Sequence, residues 1–135
     1  MITPVPSKRG KSYGEQPLRS TLSMAREIAD LLVPVLAYQP HAEVDNLRGS
    51  YYPQCFPRAG QSPDRERVLL VEDTWVSGAT AVSAAGSLLE QGADSVLTVP
   101  IARVLDTDYW EGSPYLTSIK TQTARAHRST PWPRP

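Results

Sequence analysis

Residues Val68 to Thr80 read VLLVEDTWVSGAT. The four apolar residues Val68 to Val71, bounded by Arg67 and by the acidic pair Glu72 and Asp73, show no polar alternation. That is the pattern of a strand covered on both faces of a parallel sheet. From Ala79 to Gln91, Val82, Ala85, Leu88 and Leu89 recur at helical spacing, and Gly92 stands where a left-handed residue would end the helix. Ser95 to Ile101 (SVLTVPI) reads as a further strand. Strand, helix and strand with short connections form a βαβ unit, which requires parallel pairing. The expected class is α/β, with the strand 68–71 at the centre of the sheet.

Toward the N-terminus the signals weaken. Ile2 to Pro6 (ITPVP) suits an extended strand end better than a helix, because proline fixes φ and lacks a donor. Leu22, Ala25, Ile28, Ala29 and Leu32 predict a helix over about 20–32, with Ser20 as N-cap and Pro34 as stop. Val35 to Tyr38 (VLAY) is a candidate strand, and 39–66 reads as a long loop rich in proline, glycine and charge. The chain of 135 residues has room for one modest core, so a single domain over 1–124 is expected. The aperiodic segment 125–135 (RAHRSTPWPRP) reads as a weakly ordered tail.

Composition removes several function classes. Lys plus Arg and Asp plus Glu each total 14, so no net field favours a nucleic acid or an anionic membrane. The lone Cys55 excludes an intramolecular disulfide, and His41 and His127 are too far apart for a zinc cluster. No apolar run approaches the ~20 residues of a membrane helix. A cytoplasmic protein is expected.

Ligands of open parallel sheets bind beyond the carboxyl ends of the strands. There the turn Thr74-Trp75-Val76-Ser77-Gly78-Ala79-Thr80 offers three hydroxyls, a glycine and free amides at a helix start, which suit a phosphate monoester. Glu72 and Asp73 would repel that phosphate within one pocket. Their natural partners are the vicinal hydroxyls of a sugar, or a hydrated Mg²⁺ bridging to them. Neither a Walker A loop nor a dinucleotide fingerprint occurs.

The hydrophobic strand, acid pair and Ser-Gly-x-Thr turn resemble the 5-phosphoribosyl 1-diphosphate (PRPP) signature of type I phosphoribosyltransferases. Val5-Pro6-Ser7-Lys8-Arg9-Gly10 is similar to that family's diphosphate loop, where a strand ends in a short basic, glycine-containing turn. The closest overall resemblance, over Ile2 to about Trp110, is to ComF-like phosphoribosyltransferases. It implies a parallel-sheet core flanked by helices, with little or no acceptor-binding hood. It also implies PRPP or a ribose 5-phosphate compound as ligand, Mg²⁺ held indirectly by Glu72 and Asp73, and transfer of the phosphoribosyl group to a nitrogen nucleophile. In that comparison Glu72 and Asp73 steady the ribose. Thr74 to Thr80 hold the 5-phosphate, while Ser7, Lys8, Arg9 and Gly10 receive the diphosphate, in a loop that in this family often holds a non-proline cis peptide, here near Ser7-Lys8. Val76 stands where several purine enzymes carry an acid that acts on the base, and it cannot move a proton. The competing expectations are a non-catalytic PRPP or nucleotide sensor, a subunit that needs a missing N-terminal part, and a structural or assembly subunit with a vestigial pocket; a homodimer or a partner chain is the expected association. Tyr51, Tyr52 and Phe56 are candidates for a lid or for base stacking, against local packing. Arg103 is weighed as an anion ligand against a place on the surface.

Overall fold

The computed structural model describes residues 1–8, 12–41 and 50–104. Met1–Arg103 form one compact unit, and the expected tail at 125–135 lies outside the described residues. The elements run β1 (Ile2–Pro4), α1 (Pro17–Leu22), α2 (Arg26–Ala29), β2 (Arg67–Trp75), α3 (Ala79–Glu90) and β3 (Ser95–Arg103). The strands form a parallel sheet in the order β1-β2-β3, so the class is α/β and β2 is central, as expected.

Pairing of β2 with β3 continues beyond the apolar run. Glu72 lies opposite Pro100, and Thr74 and Trp75 lie opposite Ala102 and Arg103. The expected turn 74–80 therefore contracts to Val76-Ser77-Gly78. β-branched and aromatic residues at Thr74 and Trp75 suit a pleated surface and prolong the strand. Gly78 is left-handed, with φ 79°, and serves as N-cap of α3. At the other end, Gly92 N–H donates to Leu89 O and Ala93 N–H to Leu88 O, while Gly92 takes φ 99°. This is a Schellman ending, and the buried pair Leu88 and Ala93 supplies its apolar contact.

The main apolar cluster lies on one face of the sheet, while Ile2 and Val71 are buried on the other. In that cluster Val68 and Leu70 of β2 meet Ala84 and Leu88 of α3, together with Val35, Leu36, Cys55 and Phe56 from the 34–63 region. Side chains alternate along a strand, so Leu97, Val99 and Ile101 fall on the opposite face of β3, where all three are exposed. Among the described residues no helix is long and apolar enough to cross a membrane.

Two expectations in the first half are corrected. The helix over 20–32 is two short helices, and Ser20 is not an N-cap: Gln16 caps α1, with Pro17 at its first position. The Thr21 hydroxyl donates to Pro17 O at 3.0 Å and the Ser23 hydroxyl to Ser20 O at 2.8 Å. Such hydroxyls compete for helix carbonyls, and Ala25 then turns extended at ψ 101°. The strand 35–38 does not join the sheet. It makes one antiparallel bridge, Leu36 to Arg58, with amide bonds from Ala37 to Pro57 O and from Gln39 to Cys55 O. Pro34, Pro40 and Pro57 interrupt both sides of this ladder by removing donors.

Candidate functional site

β1 and β2 are parallel neighbours, so their carboxyl ends open on the same side. Val5 N–H donates to Val71 O at 2.8 Å and carries the pairing past Pro4 to the edge of a cleft of about 480 Å³. Its walls are Val5 to Lys8, Gln16 to Leu18, Glu72 to Thr74, Val76 and Thr80. The two sequence motifs, more than sixty positions apart, therefore meet in one cavity. Arg9 and Gly10 lie outside the described residues.

Glu72 and Asp73 occupy successive positions on β2 and so project to opposite faces of the strand. Glu72 shares the core face with Val68 and Leu70 and is only 6% exposed, whereas Asp73 is exposed. Burial, then the nearby Asp73 charge, pushes the Glu72 carboxyl up to about 7, while Lys8 acts to lower it. Its Oε2 has no hydrogen-bond partner. Lys8 is exposed overall. Partial desolvation lowers its ammonium pKa, and the Glu72 charge, followed by Cys55, acts in the opposite direction. A basic and an acidic group thus bias one another across the cleft.

The turn into α3 divides its residues. Thr74, Val76 and Thr80 line the cleft, while Trp75, Ser77, Gly78 and Ala79 are not among its walls. No side chain caps α3, and Ala79 N–H reaches only the Ser77 hydroxyl at 3.4 Å. The helix therefore starts with donors and a positive dipole end available to an anion. Trp75 shapes this start from the outside: a Cβ on Gly78 would collide with its indole, which lies 2.7 Å from that position at Cε2. The ring and the left-handed φ both require glycine at 78.

Other candidates fall away. Ser7–Lys8 is a trans peptide, and the bonds that follow it in the loop lie outside the described residues. Phe56 is fully buried and packs against Tyr38 with ring centroids 5.6 Å apart. Tyr52 packs against the core and the Tyr51 hydroxyl sits over Gly86 of α3, and none of the three is among the cleft walls. Arg103 ends β3 opposite Trp75 and is not among the cleft walls. Gln16 was not anticipated. It is 5% exposed, lines the cleft, and its Oε1 has no partner.

Among the described residues no group of three or more acidic, histidine or cysteine side chains could hold a metal. Two carboxylates alone suit a Mg²⁺ that keeps most of its water and shares a ligand's phosphates, not a cation caged by protein. Family models, curated proteins and solved structures yield no match to this chain.

Proposed function

We propose that the chain binds PRPP or another ribose 5-phosphate compound in the cleft between β1, β2 and α3. The observation that carries this reading is the meeting of Ser7 and Lys8 with Glu72, Asp73, Thr74 and Thr80 around one cavity. The 5-phosphate sits at the start of α3, where amides and helix dipole favour an anion. The hydroxyls of the ribose donate to Glu72 and Asp73. The diphosphate lies toward Ser7 and Lys8. Mg²⁺, shared between the acid pair and the diphosphate, would offset the negative charge of the leaving group.

The reaction this supports is displacement at C1. The bond from C1 to the diphosphate oxygen breaks with its electron pair leaving on diphosphate, a bond from C1 to a nitrogen forms, and that nitrogen loses a proton. The ribose is cationic in transit, and the ionised Glu72 and Asp73 stabilise it there. The type I phosphoribosyltransferase assignment, with a ComF-like domain nearest, belongs to this proposal.

One observation favours a second reading, a PRPP or nucleotide sensor. Val76 is an exposed cleft residue at the position where purine enzymes carry an acid, and it offers an acceptor base no proton transfer. Calorimetry with PRPP, ribose 5-phosphate and nucleoside monophosphates, with and without Mg²⁺, tests binding. A coupled diphosphate-release assay over adenine, guanine, hypoxanthine, uracil and orotate separates the two readings. Slow or absent release beside clear binding supports the sensor, and brisk Mg²⁺-dependent release supports the enzyme. No binding of any ribose phosphate would refute both.

A further inference from the structure

Two oxygens on the cleft wall are buried and have no hydrogen-bond partner among the described residues, Glu72 Oε2 and Gln16 Oε1. Glu72 belongs to the acid pair already assigned to the ribose. Gln16 belongs to no motif. Its backbone is held on both sides, the amide donating to Tyr13 O at 3.4 Å and the carbonyl accepting from Ser20 N–H at 3.0 Å. Its side chain does not cap α1, although it occupies the N-cap position. An amide side chain that is almost fully buried normally has its oxygen bonded, since an unmet buried acceptor costs free energy. Here no described backbone N–H donates to it, and the cleft is the space it lines.

The chemistry of the cleft limits what donates to that oxygen. Glu72 and Asp73 already offer a cation its acceptors in this cleft, and the Lys8 ammonium and the positive end of α3 oppose a further one. The donor left for the Gln16 oxygen is therefore a neutral O–H of the ligand. An anionic group at the start of α3 and neutral donors elsewhere describe a polyhydroxylated phosphate ester. We infer that Gln16 is a specificity-determining residue that accepts a hydrogen bond from a sugar hydroxyl of the bound ligand. This inference rests on the ribose phosphate reading above and adds to it a contact outside the acid pair.

The test titrates the full chain with ribose 5-phosphate, 2-deoxyribose 5-phosphate and inorganic phosphate, comparing wild type with Gln16→Met. Methionine keeps the length and bulk but removes the acceptor. The expected result is a loss for ribose 5-phosphate of roughly threefold to tenfold, the worth of one neutral hydrogen bond. Inorganic phosphate should change less than about twofold, and the unliganded variant should melt no lower than wild type, because an unmet buried oxygen has been removed. Gln16→Asn, which keeps the amide but withdraws it by one methylene, should reproduce the ribose-specific loss if the methionine variant does not fold. If the Gln16→Met loss disappears with 2-deoxyribose 5-phosphate, the 2-hydroxyl is the partner. If it persists, another hydroxyl is, and both results support the assignment. Equal loss for sugar phosphate and inorganic phosphate, or no loss for either, would overturn it while leaving the ribose phosphate reading in place. A wild-type chain that binds no sugar phosphate would remove that reading and this inference together.

Discussion

Replacing Glu72 by glutamine should stabilise the protein, and only above acidic pH. The carboxyl lies at the edge of the core, 6% exposed, with its pKa raised from 4.5 to about 7 by burial first and by Asp73 second. A raised folded-state value means that the native protein holds this proton more tightly than the unfolded chain. The contribution to stability is therefore fully present below pH 4.5 and is lost as pH rises through about 7. Each pKa unit corresponds to about 1.4 kcal/mol, so the loss by pH 8.5 reaches about 3 kcal/mol as an upper limit. Glutamine has nearly the same shape and no charge, so it escapes that loss. Urea denaturation at pH 5 and at pH 8.5 measures the effect. At pH 5 the variant and wild type should differ by less than about 1 kcal/mol, and at pH 8.5 the variant should be more stable by up to about 3 kcal/mol. A difference that does not change between the two pH values, or a variant less stable at pH 8.5, would refute the argument that Glu72 is held against its charge.

The same carboxyl should couple ligand binding to proton release: at pH 6, Mg²⁺-PRPP should expel close to one proton per site and at pH 8.5 almost none, as read by calorimetry in buffers of different ionisation enthalpy. Asp73→Asn should leave stability within about 0.5 kcal/mol, because the side chain is exposed, yet weaken Mg²⁺-dependent PRPP binding about tenfold or more. Melting curves and titrations report the two effects separately. Gly78→Ala should cost at least about 1–2 kcal/mol from its left-handed φ alone, and more from the collision with Trp75. In a double-mutant cycle with Trp75→Ala the collision part should vanish, and strict additivity would contradict the packing described for the turn.

The second half of the fold was legible because local and tertiary signals agree there. Val68 to Val71 are apolar throughout and the strand is central, Gly92 ends the helix, and the next strand follows three residues later. In the first half only the short strand at Ile2 was. The apolar spacing that follows fits one long helix, but the hydroxyls of Thr21 and Ser23 take carbonyls that the helix would otherwise offer onward, and spacing carries no trace of that competition. The site divides in the same way. Glu72, Asp73, Thr74 and Thr80 follow from the position of a turn after a parallel strand. Trp75 could not be placed from sequence, since an indole over glycine and an indole facing a ligand look alike. Gln16 left almost no signal: a single amide before a proline becomes notable only when the fold turns it toward the end of β2. The aromatics Tyr52 and Phe56 sit in loop-like sequence yet serve the core, where Phe56 is among the largest fully buried side chains.

The unequal support of the two long strands sets an order in which the structure opens. Among the described residues β2 is bonded along both edges and β3 along one, with Leu97, Val99 and Ile101 facing outward. Amide hydrogens of β3 should exchange through local opening at a free energy below that of global unfolding, and those of β2 only near the global value. Every described wall of the cleft comes from β1 and its following loop, the Gln16–Leu18 segment, β2 or the start of α3, and none comes from β3. Fraying of the outer strand therefore leaves the ligand-facing wall standing, and a bound phosphate ester should slow exchange around Glu72 to Thr80 without slowing it along β3.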